Sequence, residues 1–309
     1  MGFLIDHWDF STSPATRYEN NFQHIQASHW YHCERHHPHI RAWLLENQVP
    51  LSTVNHLLAD ETRPSFHHYD DDSFMLILRG INMNDNAIPE DMLSIRILYY
   101  KGALISTRKT SSKAISEIRA SLADRKGPNS IADLLLTIID GLTGKMQQYL
   151  QDIEEQIEQF ELDTEQIGEI IEVQKALLRI KRFIRPQQYA IADFSSSEVA
   201  LLTNKTLMVN YALSNITRIN ETIEFFLGEL ALLKEQIQQL REDKISRNSY
   251  LFTLIASIFL PTSFLTGLLG INIGGIPGVE SPVAFLWFCV GLVVIFAAEV
   301  LLLKRLKFW

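Results

Sequence analysis

The sequence predicts an α+β membrane protein: a mixed α/β amino-terminal domain, a long stalk helix, and two carboxy-terminal transmembrane helices, the first continuous with the stalk. Three observations carry this reading. Residues 250–269 contain no charged side chain, residues 283–303 contain one, Glu299, and the apolar residues ahead of them repeat every seven positions. Twenty helical residues rise roughly 30 Å, about the thickness of a bilayer's hydrocarbon core, so each apolar segment is long enough to cross it. Lys244 and Arg247 precede the first segment, Lys304, Arg305 and Lys307 follow the second, and the connection between them has no Lys or Arg. Positive charge collects on the cytoplasmic side of a membrane. Both termini are therefore expected in the cytoplasm and the connection, residues 270–282, outside.

Length and charge narrow the rest. With 309 residues, the membrane part leaves about 250 for a soluble region with its own core. The net charge is −8 and the basic residues are scattered, which argues against a nucleic-acid surface. The two cysteines, Cys33 and Cys289, fall in different regions, so an intrachain disulfide is not expected. Residues 1–10 carry two aspartates and no apolar run of signal-peptide length. Nothing resembles a nucleophile elbow, a phosphate-binding glycine loop or a His-Glu metalloprotease spacing, so no enzyme and no resident cofactor are expected.

Within residues 1–128, short patterns alternate in type. Residues 40–46 and 52–59 read as brief helices, the second with Ser52 as cap. Residues 74–78 form an apolar run, and residues 93–100 and 103–107, separated by Lys101 and Gly102, read as a hairpin. Ser111 or Ser112 caps a helix with Ile115, Ile118 and Leu122 on one face. Residues 126–129, Lys-Gly-Pro-Asn, mark the edge of this domain.

Residues 129–249 read as a helical stalk. Met146, Leu150, Ile153, Ile157, Phe160, Ile167, Ile171 and Leu178 recur at steps of three and four, with interruptions at Thr164 and Gln174, and predict one long helix. Its outer face is acidic, which either is simply solvated or concentrates cations. Pro186 predicts a turn or kink. Ser195 and Glu198 form a capping box for a helix running from about residue 198 to 269. Along it Val209, Ile216, Ile223, Leu230 and Ile237 are seven apart, as are Ala212, Ile219, Phe226, Leu233 and Leu240. Such a seam is covered either by other copies or by the 145–185 helix of the same chain.

Residues 250–309 form the transmembrane part. Two spans enclose no water path alone, so conduction requires several subunits about an axis. Ser249, Thr253, Ser257 or Ala256, Leu260, Ser263, Gly267 and Gly270 make a stripe of small and hydroxylated residues suited either to lining a pore or to ordinary helix packing. Pro261 frees one backbone carbonyl near mid-membrane.

The run Pro261-Thr262-Ser263-Phe264-Leu265-Thr266-Gly267-Leu268-Leu269-Gly270-Ile271-Asn272, placed at the end of a long helix before a final span, resembles the CorA family of divalent-cation transporters. That family closes its first span with Gly-Met-Asn. Here isoleucine replaces methionine, and Gly-Ile-Asn followed by Gly-Gly-Ile-Pro-Gly is similar to the zinc-associated branch of the family. Thr62-Arg63-Pro64, Arg79-Gly80-Ile81-Asn82, Met92-Leu93-Ser94-Ile95-Arg96 and Ile105-Ser106-Thr107-Arg108 agree with the same branch, so the resemblance runs from about residue 61 to the end. It implies a funnel-shaped homopentamer in the cell inner membrane that passes zinc and related dications, with proton coupling as a further implication. Magnesium or cobalt conduction, or a membrane-tethered zinc sensor, are the alternatives. On this resemblance Gly270, Ile271 and Asn272 form the selectivity filter, where five amide oxygens would accept hydrogen bonds from the shell of a hydrated ion and let it leave again. Glu280, the one charge in the outer connection, is the expected entrance residue, and Glu299 a candidate for proton coupling.

All ten histidines precede Tyr69, and His32, Cys33, His36, His37 and His39 crowd into eight residues. Imidazole and thiolate suit zinc, so the segment is either a regulatory zinc site or a water-facing loop, as Pro38 suggests.

Overall fold

A computed structural model describes residues 2–18, 23–70, 72–161, 164–270, 278 and 281–305. By internal contacts the chain divides into two compact units, Met1–Lys234 and Glu235–Trp309.

The first unit is built on a seven-stranded mixed sheet. Its strands are β1 (Leu4–Asp9), β2 (Thr16–Arg17), β3 (His29–Glu34), β4 (Ser65–Asp70), β5 (Ser73–Gly80), β6 (Leu93–Tyr100) and β7 (Ala103–Arg108), in the order β2-β1-β3-β7-β6-β5-β4. The β3–β7 pair is parallel and every other neighbour pair antiparallel. The expected hairpin is β6–β7, turning at Lys101 and Gly102, both at positive φ (49° and 78°). Glycine accepts that conformation without strain, and a Cβ at Gly102 would come within 2.9 Å of the Ala27 side chain. The apolar run at 74–78 is the centre of β5, buried on both sides as its unbroken hydrophobicity requires.

Helices cover both faces. On one, α1 (Pro38–Glu46) and α2 (Leu51–Leu58) set Trp43, Leu44, Val54 and Leu57 against Tyr31, Cys33, Ile77 and Leu98. On the other lie α3 (Lys113–Ala123), α4 (Ile131–Glu158) and α5 (Ile167–Ser196), where Phe194 of α5 meets Phe66 and Phe74 at ring distances of 5.3 Å. Ile115, Ile118 and Leu122 are the buried face of α3, which starts after Ser112. Helix α2, however, starts after Pro50, and Ser52 lies inside it; a proline just ahead of the first turn needs no hydrogen bond that a proline nitrogen would withhold.

The stalk differs from expectation in three places. The single helix expected through 145–185 is two, α4 and α5, joined through the short 3₁₀ turn Thr164–Gln166. Folding back lets Ile153 and Ile157 of α4 and Ile170 and Leu177 of α5 all be buried, which one straight helix in water would not achieve. Of the turn or kink expected at Pro186, the turn is not found, since α5 continues through it to Ser196. Ser195 and Glu198 do not start a helix: Ser195 lies in the last turn of α5, where its hydroxyl donates to Asn210 at 2.7 Å, and the next helix, α6, begins at Thr206.

Helix α6 is uninterrupted from Thr206 to Leu269, in line with the lack of glycine or proline between Leu240 and the membrane segment. Its seam is buried inside one chain as far as Leu230, where Ile216, Ile223 and Leu230 have no exposed surface and Val209 has 1%, but Leu240 at its far end is 49% exposed. The contacts run antiparallel along α5. Ser195 pairs with Asn210, Gln188 with Thr217 (3.0 Å) and Lys181 with Glu224 (3.1 Å), each step of seven back along α5 matched by seven forward along α6.

The second unit contains the remainder of α6 and α7 (Ala284–Arg305). Both are long and apolar enough to cross a membrane, and α7 has no buried residue. Lys304 and Arg305 stand in its last turn, where positive charge complements the helix dipole.

Candidate functional site

The small-residue stripe of α6 is intact in the structure and fully on the outside of the single chain. Ser249, Thr253, Ser257, Leu260, Ser263 and Gly267 are all exposed, Leu260 by 70%. At 100° per residue they fall within a sector of roughly 120° of the helix. Thr253 Oγ1 donates to the Ser249 carbonyl at 2.9 Å and Ser257 Oγ to the Thr253 carbonyl at 2.8 Å. These protons are thereby committed to the helix backbone, and each hydroxyl oxygen keeps lone pairs facing outward. That is the polarity a cation's water shell requires, since those waters point hydrogens away from the ion. Pro261 has no N–H for the Ser257 carbonyl, so one level of the stripe carries both a hydroxyl oxygen and a carbonyl released from the helix ladder.

At the end of α6, Gly270 N–H donates to the carbonyls of Thr266 (2.9 Å) and Gly267 (3.2 Å). A Cβ at residue 270 would stand 3.1 Å from the Thr266 oxygen, so the glycine allows this tight last turn, whereas Gly267 has nothing within 4 Å of a Cβ. Ile271, Asn272 and Glu280, the other expected filter and entrance residues, lie outside the described residues. Glu299 is in α7, with Oε2 buried and without a hydrogen-bond partner.

The histidine segment is not a loop. His32 and Cys33 belong to β3, an interior strand between β1 and β7, and both have no exposed surface. As strand neighbours they point to opposite faces. His32 Nδ1 lies 2.8 Å from the Ser106 hydroxyl, and burial pushes its pKa down to about 3. Cys33 is packed in the core under α1 and α2, and burial raises its thiol pKa far above the ordinary range, the reverse of what a thiolate ligand needs. His36 approaches Asp60 at 3.6 Å, and His37 Nδ1 accepts from the His39 backbone N–H as the cap of α1. The five do not converge, and among the described residues no three His, Cys, Asp or Glu side chains stand where they could hold a metal ion. Their adjacency in sequence is undone by the alternation of β3 and by the capping of α1.

A second row on α6 went unread in the sequence. Tyr211, Phe225 and Leu232 are exposed by 64, 67 and 63%, and with Arg218 they repeat at seven residues on a face other than the buried seam. A search for a second seven-residue register offset from the first would have found it. Arg218 interrupts the row, whose apolar members the single chain leaves open.

An α/β soluble domain, a helix leading from it into an apolar segment, and a second apolar helix define a membrane protein of the transporter class. The chain matches the family model described as CorA-like Mg2+ transporter protein over residues 26–305, and it belongs to that family. It is 64% identical over 308 residues to the zinc transport protein ZntB of Vibrio parahaemolyticus, covering 100% of this chain and 98% of that one. The crystal structure of the ZntB cytoplasmic domain from that organism superposes with a TM-score of 0.76 at 61% identity, covering 79% of this chain and all of the other. The complete structure of the CorA magnesium transporter from Methanocaldococcus jannaschii superposes with a TM-score of 0.80, over 99% of this chain and 98% of the other, at 15% identity, which speaks to the fold alone.

Proposed function

We propose that the chain transports zinc and related divalent transition cations across the cell inner membrane as one fifth of a homopentameric pore, with both termini in the cytoplasm. The observation that carries this is the 64% identity, over the whole chain, to a protein named for zinc transport. In this reading the hydroxyl stripe of α6 faces the axis and offers acceptor oxygens to the shell of a hydrated dication, while the exposed row from Tyr211 to Leu232 meets neighbouring copies. Asn272 supplies the neutral amide ring of the filter, and Glu280 raises the local cation concentration at the mouth. A proton-coupled cycle would place Glu299 in the path of the proton. The exposure of the stripe in a single chain supports assembly, because hydroxyls at lipid depth are best satisfied against other helices or water.

A second reading, magnesium transport, draws on the description of the family model itself. One experiment separates the two: zinc uptake into proteoliposomes, with and without an imposed pH gradient, with magnesium as competitor. Zinc flux that excess magnesium leaves unchanged supports the first reading; flux of magnesium alone replaces it with the second. Asn272→Ala is expected to abolish zinc flux while cross-linking still yields the assembled oligomer. Undiminished flux in that variant would sink the filter assignment.

A further inference from the structure

The soluble unit contains a cavity of about 730 Å³ whose wall carries Arg35, Arg63, Arg79, Lys109 and Arg182. We infer that it is a binding site for a phosphoryl group, free or carried on a small hydroxylated ester. Three guanidiniums reach it from three different elements: Arg35 directly after β3, Arg79 near the end of β5 and Arg182 on α5.

Arg35 carries the argument. It is 5% exposed, and its Nε and Nη1 are buried without a hydrogen-bond partner. A buried cation whose charge is unpaired is costly, and an anion in the adjoining cavity would offset that charge. Arg79 is held in place by the carbonyls of Met92 (3.0 Å) and Thr62 (2.8 Å), which take its two terminal nitrogens and leave Nε unpartnered. The hydroxyls of Thr62 and Ser94, also in the wall, have no partner either. Phe183 backs the site, with the Arg79 guanidinium 4.8 Å and that of Arg182 5.6 Å from its ring centre.

The fold offsets this cluster only in part, through the charges of Asp60 and Glu34 near Arg35 and of Glu61 near Arg79. Among the described residues no carboxylate forms an ion pair with Arg35, Arg79 or Arg182. Asp60, Glu61 and Asp91 lie on the cavity wall but are exposed, and Asp60 is engaged with His36. Burial, then the charge of Arg35, holds the Arg79 pKa below its ordinary value, so the cations are packed closely enough to repel one another. Arg96 lies behind them, fully buried. It donates to the Leu57 and Asp60 carbonyls at the end of α2, which leaves one of its nitrogens, Nε, without a partner against two on Arg35.

The ligand class follows from the donors. Guanidinium forks pair with the oxygens of a tetrahedral oxyanion, and several forks around one centre favour a dianion over a halide. The volume lies within the range of small-molecule pockets and exceeds what inorganic phosphate alone fills. The exposed carboxylates at the rim are acceptors suited to a carrier's hydroxyl groups.

The test is calorimetry and thermal unfolding of the full-length protein in detergent and chloride-free buffer. Inorganic phosphate and AMP are the probes, and sodium chloride is the control. One site per chain for phosphate or AMP, with a raised unfolding temperature, is expected. Tighter binding of phosphate assigns the free ion, and tighter binding of AMP the ester. Arg182→Gln, on the exposed side of α5, is expected to weaken binding at least tenfold without changing the unfolding temperature of the ligand-free protein. Arg35→Met is expected to abolish binding and to leave that temperature unchanged or raise it. Absence of binding by either probe, or binding indifferent to Arg182→Gln, overturns the inference. So does an equal response to chloride, meaning an adventitious ion only, or an Arg35→Met protein that is less stable without ligand.

Discussion

Lys181 on α5 lies 3.1 Å from the Glu224 carboxylate on α6, one heptad beyond the hydrogen bond from Gln188 to Thr217. The Glu224 side chain is half exposed, whereas its neighbour Ile223 has no exposed surface. Exposed ion pairs contribute about 0–1 kcal/mol, while truncating a buried isoleucine to alanine costs about 2–5 kcal/mol. Glu224→Gln should therefore hardly move the unfolding midpoint of the soluble unit, and Ile223→Ala should lower it strongly. Equal effects would mean that charge, rather than the apolar seam, holds α6 to α5.

The stripe makes a prediction about conduction. Thr253→Val keeps the shape of the side chain and removes the oxygen that faces outward from α6. A hydrogen bond is worth about 0.5–1.5 kcal/mol and each 1.4 kcal/mol is about tenfold in rate. Removing one oxygen per subunit should cut zinc flux in proteoliposomes by about tenfold or more, while Phe252→Leu, one residue away, should leave it intact. If the two variants conduct alike, the stripe serves packing only.

Gly267 and Gly270 should respond oppositely to alanine. Open space surrounds Gly267 in the single chain, so Gly267→Ala should gain about 0.5–1 kcal/mol of helix propensity there. Any loss of assembly or flux in that variant would then report a neighbouring copy. Gly270→Ala must displace the Thr266 carbonyl from 3.1 Å and should weaken the last turn of α6 even before assembly. Circular dichroism of the detergent-solubilised variants, read beside their oligomeric state, separates the two effects.

Acidification should destabilise the soluble unit through its buried histidines. His32 is held neutral down to about pH 3, and His7, 2.7 Å from His29, down to about pH 4, chiefly by burial. The unfolded chain takes up these protons near pH 6.5, so it binds more protons than the folded one between that value and the folded pKa values. Stability is then full above about pH 6.5 and falls as pH is lowered, for His32 by up to about 1.4 kcal/mol per pH unit. Urea midpoints at pH 7 and pH 5 should differ, and His32→Gln should reduce the difference. An unchanged slope in that variant would remove His32 from the account.

Much of the architecture was legible because it is local or periodic. The β6–β7 hairpin follows from alternation around Lys101-Gly102, the burial of α3 from Ile115, Ile118 and Leu122, and the continuity of the stalk into the membrane segment from the lack of glycine or proline between Leu240 and that segment. The stripe from Ser249 to Gly267 is likewise a matter of spacing along one helix. Where long-range contacts decide, the reading failed. β3 hides its pattern because both faces are covered, so His32 and Cys33 looked like a water-facing loop. The interruption at Thr164 marked the place where α4 gives way to α5, but the apolar steps resume beyond it, so the fold-back itself was not legible along the chain.

The sequence by itself determined that this chain has two apolar helices of membrane length, a continuous helix leading into the first, and a hydroxyl-bearing face upon it. Those properties follow from composition and from the helical repeat, which need no distant partner. Tertiary structure alone decided that the heptad seam is covered within one chain as far as Leu230, that Tyr211, Phe225 and Leu232 remain open, and that Arg35, Arg79 and Arg182 meet around one cavity. Residues separated by more than a hundred positions are brought together there by the sheet and α5, and no spacing along the chain records that meeting.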